Sequence, residues 1–501
     1  MKIIHDPVRS PHAPETAKFG LLGAYVAGAD ALRLPIRLTT DGKLAVLEDD
    51  DVSRLTGTQG SVAKMKWSEI HALDFGATFK SANGSAFAYP SAANTFPMLL
   101  DYLPPEVTIV ADLRSNEKQV AHDVANAAQH RGLDANLIIL GTKEQRDEAK
   151  KVSSKVRTDF TVVSLSDLSG AAAPPPPQAI VNAADARLSA DDITLLQKKN
   201  VYGVITNSGL DAVHLLRPGW QWIDEKWAQK AANHDDVDAN TWHLGYAKYN
   251  PERFCHVYPD DGIHVDIKPY DKPVGFVPSG DPIKDAIENV NEKTWEALKN
   301  WPFYSGGGAG FAPGIRGDFS AEVDIESLKA QQATTVEMAA TNVDPATHRK
   351  PWVQNDKGKW IANPPESFRD KHTFFDPHGG PPYVGVEHDE DDGWRINWNL
   401  GIDYDSNQYG KAVGDGKQLK GRMRLDRRGA YFAAFYRPDG LDRTSDWVCV
   451  GAVRNESLNQ VIYLRLAGKR WRQEDPANPS KWMDVIPNHF TFRNFTLKRF
   501  V

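Results

Sequence analysis

Short apolar runs alternate with amphipathic segments along the first 217 residues, and this alternation limits the fold more than any other feature. Runs such as KIIH, VTIVADL, NLIIL and VYGVITN are separated by helical stretches such as NEKQVAHDVANAAQHRG. A strand, a helix and another strand in this order form a parallel pair with a crossover helix. Seven or eight such strands in about 215 residues predict a compact (β/α)8 TIM barrel over residues 1–217.

The period of the pattern changes towards the end of the chain. From residue 315 to 501, apolar and polar residues alternate between turn signals, as in FSAEVDIES and QVIYLRLAG. This predicts an antiparallel β-sandwich or jelly roll. Residues 218–314 form a tryptophan-rich connecting region with an amphipathic helical segment (281–301), and it ends in YSGGGAGFAPG (304–314), which we interpret as a linker.

Charge and cysteine content exclude several classes of protein. The net charge of −7 is untypical of nucleic-acid-binding proteins, so we predict no nucleic-acid partner. Cys255 and Cys449, the only cysteines, form neither a disulfide framework nor a zinc-binding spacing. No apolar run approaches the ~18 residues of a membrane span. MKIIHDPVRS is not a signal peptide, so we expect a protein that is cytoplasmic, or secreted with its signal removed.

Chemically active side chains follow the predicted barrel strands where these strands end. They are His5 after the first strand, Arg33 and Arg37 on one face of the second, Glu48 and Asp49 after the next short strand, and Asp112 and Arg114 after VTIVADL. Either these groups converge on the rim where the carboxyl ends of barrel strands meet, or they are loop charges that never meet. Two arginines on a buried strand face are costly unless anionic groups meet them.

A series of short motifs occurs in a fixed order within the first 57 residues. It comprises His5, Pro14-Glu15-Thr16, Phe19, Gly28-Ala29-Asp30, Leu38-Thr39, Asp41-Gly42, Val46, Asp49, Arg54 and Thr56-Gly57. This order resembles the N-terminal signature of glycerophosphodiester phosphodiesterases. The resemblance covers roughly residues 1–217, is most specific over the first 115, and implies a phospholipase-C-like TIM barrel.

Of the positions that carry chemistry in that family, only His5 and Asp49 match in type here, with Asp112 and Arg114 as near substitutes. Where the family has His-Arg-Gly, this chain has His5-Asp6-Pro7. Arg33 and Pro35 replace two metal-binding carboxylates, Glu48 replaces a catalytic histidine, and the sequence DLR at 112–114 replaces Glu-x-Lys. A guanidinium ~4 Å from a divalent ion is repelled by a few kcal/mol or more at an effective dielectric of ~20. We therefore predict that the barrel has no metal site and uses no cofactor.

Two functions remain open for a barrel altered in this way. In the first, the protein is a hydrolase or lyase with a rebuilt, metal-independent site that acts on a glycan, a glycosyl-phosphate or a glycerophosphodiester. The catalytic candidates are then His5, Glu48 and Asp112, and the substrate-binding candidates are Arg33, Arg37, Asp49 and Arg114. In the second, Glu48 or Asp112 pairs with an arginine in a structural ion network, and the protein is a non-catalytic glycan-binding protein on a degenerate scaffold.

The strands around QLKGRMRLDRRGAYFAAFYRPDG resemble the central strands of concanavalin A-like lectin and glucanase sandwiches. This resemblance covers about 315–501 and implies an accessory carbohydrate-binding domain. Trp394 and Trp398 are candidates for an exposed sugar-binding face, although core packing is the commoner role of tryptophan.

A structural calcium site is a further candidate in this region. Asp403, Asp405 and Asn407 have the spacing of calcium ligands, without the glycine and the late glutamate of an EF-hand.

Overall fold

The computed structural model describes residues 1–207 except 81–83, 85–89, 171–177 and 185–187. Beyond them it describes 225–226, 242–244, 255–259, 261–267, 304–327, 334–344, 352–354, 360–362, 382–389, 392–401, 408–410, 420–443, 446–471, 474–475, 478–482 and 488–499. The chain divides into two compact units, an N-terminal unit (Met1–Trp220 with Leu441–Val453) and a C-terminal unit (Gln221–Gly440 with Arg454–Val501).

The N-terminal unit is built on a parallel sheet. Its strands are β1 (Lys2–His5), β2 (Ala31–Leu38), β3 (Leu44–Val46), β4 (Thr108–Leu113), β5 (Leu137–Leu140), β6 (Thr161–Ser164), β7 (Ala179–Asn182) and β8 (Gly203–Thr206). The order is β5-β4-β2-β1-β8-β7-β6 with parallel neighbours, and β3 pairs antiparallel with β2. A parallel bridge from Ile138 to Arg157 joins β5 to the segment that leads into β6. This sheet fits the predicted TIM barrel.

Helices connect the parallel strands. They are α1 (Lys18–Val26), α2 (Ser53–Thr56), α3 (Trp67–His71), α4 (Phe96–Tyr102), α5 (Lys118–Gln129), α6 (Lys143–Val152), α7 (Leu165–Gly170) and α8 (Ala190–Lys198), with 3-10 turns at Val62–Lys64 and Asp134–Asn136. The side chains of Thr142 and Ser189 accept hydrogen bonds from the first turns of α6 and α8, so both helices begin at a strong capping residue. Among the described residues, no helix is long and apolar enough to cross a membrane.

Buried side chains form separate clusters on the two faces of the parallel sheet. One cluster, made of strand residues with Phe160, contains Ile4, Ala31, Val110, Ile138, Leu140, Ile180 and Ile205. The other includes residues of α7 and α8 and contains Ile3, Leu168, Val181, Ile193, Leu196 and Val204. Because successive strand side chains point to opposite faces, the first cluster fills the inner face and the second packs under the helices.

The C-terminal unit consists of antiparallel strands. They are β9 (Glu225–Lys226), β10 (Trp242–Leu244), β11 (Cys255–Pro259), β12 (Ile263–Ile267), β13 (Tyr304–Arg316), β14 (Phe319–Ser327), β15 (Thr334–Thr341), β16 (Trp352–Gln354), β17 (Trp360–Ala362), β18 (Tyr383–Asp389), β19 (Gly393–Asn399), β20 (Gln408–Tyr409), β21 (Lys420–Arg428), β22 (Tyr431–Pro438), β24 (Val461–Trp471), β25 (Glu474–Asp475), β26 (Asn478–Trp482) and β27 (Asn488–Arg499). Most of β23 (Val448–Arg454) belongs to the N-terminal unit.

Two larger sheets organise these strands. One has the order β10-β13-β24-β15-β18-β19-β20, and the other runs β11-β12-β27-β14-β21-β22, with β9 beside β27. Smaller hairpins pair β16 with β17 and β25 with β26. The antiparallel strands predicted after residue 315 are therefore present.

The glycine-rich segment 304–314 is a strand and not the predicted linker. It forms most of β13, which pairs with β10 and β24. A Cβ atom on Gly308 would lie 1.9 Å from the carbonyl oxygen of Leu466, so glycine is needed for the close approach of the two backbones. Glycine content indicates either flexibility or close packing, and the sequence does not distinguish them. The helical segment predicted over 281–301 lies outside the described residues.

Candidate functional site

The side chain of Arg33, on the inner face of β2, binds three carboxylates. Its Nη1 donates to both oxygens of Asp6 at 2.9 Å, and its Nη2 donates to Glu48 Oε2 at 2.8 Å. Nε and Nη2 donate to Asp112 Oδ2 at 2.9 and 2.6 Å. Only 7% of the Arg33 side chain is exposed. The planar fork of N–H donors suits several carboxylates at once, so this positive charge is enclosed by anions.

Arg114 adds a second cation to this group. Its Nη2 donates to Glu48 Oε1 at 2.5 Å and lies 3.2 Å from Asp112 Oδ2. Glu48 and Asp112 are therefore each shared between two guanidinium groups. We name these five residues, Asp6, Arg33, Glu48, Asp112 and Arg114, the Arg33 cluster. Three negative and two positive charges give it a net charge of −1 when all five groups are ionised.

Strand register explains why these groups meet. Ile4 pairs with Ala31, and Asp6 and Arg33 each follow two residues later, so both extend the inner face of the sheet. Asp112 lies on the same face of β4, two residues beyond the partner of Arg33. Of the two alternatives that the sequence left open, convergence therefore holds for Arg33, Glu48, Asp112 and Arg114. Asp6 was absent from the predicted site residues, although its spacing from Ile4 in β1 is the signal that identifies it.

His5 does not join Glu48 and Asp112, contrary to the predicted catalytic group. It follows Ile3 on the opposite face of β1, is buried, and its Nδ1 has no hydrogen-bond partner among the described residues. Burial, with a smaller contribution from nearby His12, lowers the pKa of His5 to about 3. His5 is therefore a neutral imidazole in the core near neutral pH.

Arg37 and Asp49 support the loop that carries Glu48. Arg37 donates through Nε and Nη2 to the backbone oxygen of Glu48 at 2.9 and 2.6 Å. Asp49 accepts from Arg54 Nε at 2.5 Å, and Arg54 also donates to Glu15 at 2.5 and 2.9 Å. Both predicted substrate-binding residues are thus engaged in contacts within the protein.

Burial and charge act in opposite directions within the Arg33 cluster. Burial raises the pKa of Asp6 above its ordinary value, and this outweighs the lowering by Arg33. Burial also acts to lower the pKa of Arg33, but Asp6, Asp112 and Glu48 outweigh it and raise that pKa. Arg33 therefore remains a cation, while Asp6 takes up a proton more readily than an exposed aspartate does.

The Arg33 cluster does not fit a divalent metal ion. Mg²⁺ and Ca²⁺ need several oxygen ligands, whereas both oxygens of Asp6, Glu48 Oε2 and Asp112 Oδ2 already bind Arg33, and Glu48 Oε1 binds Arg114. No group of three or more His, Cys, Asp or Glu side chains in the described part of the chain is arranged to hold a metal ion. A metal here would have to displace a guanidinium or share its ligands with one.

The predicted sugar-binding tryptophans differ in environment. Trp394 is 1% exposed and stacks on Tyr436 with ring centroids 4.2 Å apart, so the prediction that it forms an exposed ligand face is wrong. Trp398 is partly exposed on β19. The calcium candidates Asp403, Asp405 and Asn407 lie outside the described residues.

A polar face of the C-terminal unit was not predicted from the sequence. Asn397 Nδ2 donates to Glu337 Oε2 at 3.2 Å and to Glu387 Oε2 at 2.7 Å. Arg395 Nε donates to Glu387 Oε1 at 2.6 Å, and Arg465 Nε lies 2.9 Å from Glu337 Oε1. We name these five residues the Glu337 face. In the sequence, Glu387 and Asp389 are two residues apart, as are Arg395 and Asn397. Residues two apart on a strand share a face, so this spacing is the signal that could have identified a polar face.

Comparison with known families assigns the N-terminal part of the chain. Residues 13–214 match the model of the glycerophosphoryl diester phosphodiesterase family. The N-terminal unit therefore carries a domain of this family, as the order of its sequence motifs predicts.

Curated relatives match over shorter stretches. A glycerophosphodiester phosphodiesterase of Caldanaerobacter subterraneus subsp. tengcongensis is 34% identical over 95 residues, which is 18% of this chain and 37% of the relative. An uncharacterized protein of Mycobacterium tuberculosis is 24% identical over 133 residues, which is 26% of this chain and 44% of that protein. The chain thus spans less than half the length of these relatives.

Solved structures of the same family also align with the chain. The phosphodiesterase domain of an uncharacterized Mycobacterium tuberculosis protein aligns with a TM-score of 0.37 and 15% identity, covering 42% of this chain and 98% of that domain. A glycerophosphodiester phosphodiesterase of Agrobacterium tumefaciens aligns with a TM-score of 0.35 and 18% identity, covering 42% of this chain and 99% of the other.

Proposed function

We propose that the phosphodiesterase-family domain of this protein is a scaffold without metal-dependent hydrolysis, and that the protein binds carbohydrate through its C-terminal unit. The observation that carries the first part is the set of contacts made by Arg33. Its guanidinium bridges Asp6, Glu48 and Asp112 where the family resemblance implies metal-binding carboxylates.

The energetics of the Arg33 cluster support a structural role. Removing one partner from a buried ion pair typically costs about 3–5 kcal/mol, because an uncompensated charge remains. Both oxygens of Glu48 and Oδ2 of Asp112 are engaged by Arg33 and Arg114, so these contacts compete with any role of the same oxygens as an acid, a base or a nucleophile. The net charge of −1 also gives this rim no attraction for a phosphodiester anion.

The edge of the Glu337 face at Arg395 supports the carbohydrate part of the proposal. Sugar hydroxyls both donate and accept hydrogen bonds, and the guanidinium of Arg395 is partly exposed, whereas Glu337, Glu387, Asn397 and Arg465 behind it are buried. Tyr409 lies at the same end of the sheet, 49% exposed, with Arg395 4.3 Å from its ring centroid. The face of an exposed aromatic ring can stack on the apolar face of a sugar, while a neighbouring charged group binds the sugar hydroxyls. The proposal includes a concanavalin-like β-sandwich as the fold of the C-terminal unit.

A rebuilt hydrolase is the second candidate. Glu48 and Asp112 retain 22% and 18% side-chain exposure, so solvent reaches both carboxylates. Two relatives of the domain carry the name glycerophosphodiester phosphodiesterase. In this alternative, Glu48 or Asp112 acts without a metal on a phosphodiester or a glycoside.

A substrate panel with and without EDTA separates these candidates. It comprises glycerophosphodiesters, nitrophenyl phosphodiesters and neutral and acidic oligosaccharides, each tested on the full chain for turnover and for binding. We expect that the wild-type chain binds an oligosaccharide without turning it over, and that Glu48→Gln binds it with the same affinity. Turnover that is lost on adding EDTA would contradict the scaffold proposal.

The same panel tests the second candidate. Turnover that resists EDTA and falls at least tenfold in Glu48→Gln, but not in the exposed control Glu117→Gln, would establish the rebuilt hydrolase and reject the scaffold. The absence of oligosaccharide binding would reject the carbohydrate part of the proposal.

A further inference from the structure

Two histidines of the C-terminal unit meet across neighbouring antiparallel strands. His264 of β12 is the register partner of Thr491 in β27, and Asp266 is the partner of His489. Residues two apart on a strand share a face, so all four side chains lie on one side of the sheet. The alternate residues Ile263, Val265, Ile267, Phe490 and Phe492 are buried. A polar row with two imidazoles thus lies opposite an apolar row.

Three atoms of this row form a small triangle. His264 Nδ1 lies 3.1 Å from His489 Nε2, and Thr491 Oγ1 lies 3.3 Å from the first nitrogen and 3.1 Å from the second. In a tetrahedral zinc site with Zn–N distances of ~2.0–2.1 Å, ligand atoms are about 3.3 Å apart. The triangle therefore has nearly the dimensions of three ligands around one metal ion.

Two carboxylates determine which ring nitrogens carry protons. His264 Nε2 lies 2.8 Å from Asp261 Oδ1, and His489 Nδ1 hydrogen-bonds to Asp266 Oδ1. Because an ionised carboxylate only accepts hydrogen bonds, each imidazole donates its N–H outward and turns a lone pair towards the triangle. The same outward bond to a carboxylate orients the imidazole ligands of metal sites.

Two imidazole nitrogens and one hydroxyl oxygen face each other in this triangle. A central cation could take all three atoms as ligands at once. His489 is 21% exposed, whereas His264 and Thr491 are buried, so an ion would enter beside His489.

We propose that His264, His489 and Thr491 bind a divalent transition-metal ion of the zinc class, with water as a fourth ligand. Imidazole nitrogen favours zinc-class metals over Mg²⁺ and Ca²⁺, which prefer oxygen. Asp261 and Asp266 are positioning residues, and Arg493 holds Asp261 through a 2.8 Å hydrogen bond from Nε. This site belongs to the C-terminal unit and is independent of the proposed function.

Metal binding by the full chain tests the site directly. After treatment with a chelator and dialysis, the protein is titrated with Zn²⁺ and separately with Co²⁺, whose visible absorption bands identify tetrahedral coordination. We expect one ion per chain with those bands. His264→Gln and His489→Gln each weaken binding at least tenfold, and Asp266→Asn weakens it by ~10–100-fold through the imidazole that it orients. His130→Gln, an exposed histidine outside the triangle, retains full binding.

Three outcomes would overturn the proposal. They are no retained Co²⁺ or Zn²⁺ in the wild-type chain, a Co²⁺ spectrum of six-coordinate type, and binding unchanged in a His264→Gln/His489→Gln double variant. Thermal unfolding checks that each variant is folded. Thr491→Ser keeps the hydroxyl and is expected to bind, so it supplies a folded comparison for Thr491→Val, which is expected to bind more weakly.

Discussion

Arg33 Nη1 lies 2.9 Å from each carboxylate oxygen of Asp6, and both side chains are almost wholly enclosed. This contact uses one nitrogen of the guanidinium and both oxygens of the carboxylate, and Nε and Nη2 of Arg33 donate to Asp112 and Glu48. Glu48, Asp112 and Arg114 extend the pair to the rim of the sheet. Whether Glu48 or Asp112 can react with a substrate therefore depends on whether their contacts with Arg33 and Arg114 can break.

Replacing Arg33 should destabilise the N-terminal unit strongly. Arg33→Met leaves Asp6 buried without its cation, and we expect a loss of about 3–5 kcal/mol in the free energy of unfolding. The measurement is urea unfolding followed by circular dichroism. Arg131→Met, which removes a surface pair with Asp101, is the control and should cost less than about 1 kcal/mol. Equal losses in the two variants would argue against a buried, tightly coupled Arg33 cluster.

His5 should make the protein less stable in acid. Its pKa is lowered from 6.5 to about 3 by burial, so the unfolded chain binds a proton in this range and the folded chain does not. Stability contributed by neutral His5 is therefore complete above pH 6.5 and declines as the pH falls, by up to about 1.4 kcal/mol per pH unit, until about pH 3.

The difference between wild type and His5→Leu isolates this effect. Urea unfolding between pH 7 and pH 4 should show a flatter pH dependence for the variant, since other titrating groups are common to both proteins. His130→Gln removes an exposed histidine and should keep the wild-type dependence, because His5 is still present. A parallel course for wild type and His5→Leu would contradict the prediction.

Trp394 should act in stability and not in ligand binding. Trp394→Ala removes a fully buried ring that stacks on Tyr436, and large-to-small core changes of this kind cost about 3–5 kcal/mol. Trp398→Ala, on the same strand but partly exposed, should cost less. Thermal unfolding provides the comparison. A larger loss in Trp398→Ala would show that the two tryptophans exchange these roles.

Gly308 should tolerate no side chain. A Cβ atom there would lie 1.9 Å from the carbonyl oxygen of Leu466 on the paired strand, so Gly308→Ala should separate β13 from β24. We expect a lower unfolding temperature and faster amide hydrogen exchange in both strands. Gly84→Ala is a control for the loss of a glycine, because a Cβ atom there would meet only open space, although its φ of 84° adds local strain. Unchanged exchange in β13 and β24 would reject this packing.

Local patterns in the chain were enough to predict the class of both units. The alternation of strands and helices predicted a parallel sheet, and a period of two predicted antiparallel strands, because both periods follow from backbone geometry. The ordered motifs from His5 to Gly57 predicted the family of the first domain. Charge-bearing residues at strand ends identified Arg33, Glu48 and Asp112 as candidates for a shared rim, but left open whether they meet.

Only the tertiary structure decided how these groups are used. His5 and Asp6 are adjacent in sequence, yet one is buried away from Arg33 and the other binds it, because adjacent side chains on a strand point in opposite directions. The pairing of His264 with His489 joins residues separated by 225 positions, and this depends on the register of β12 against β27. Hydrogen-bond partners and burial are set by such long-range pairings, which local sequence patterns do not encode.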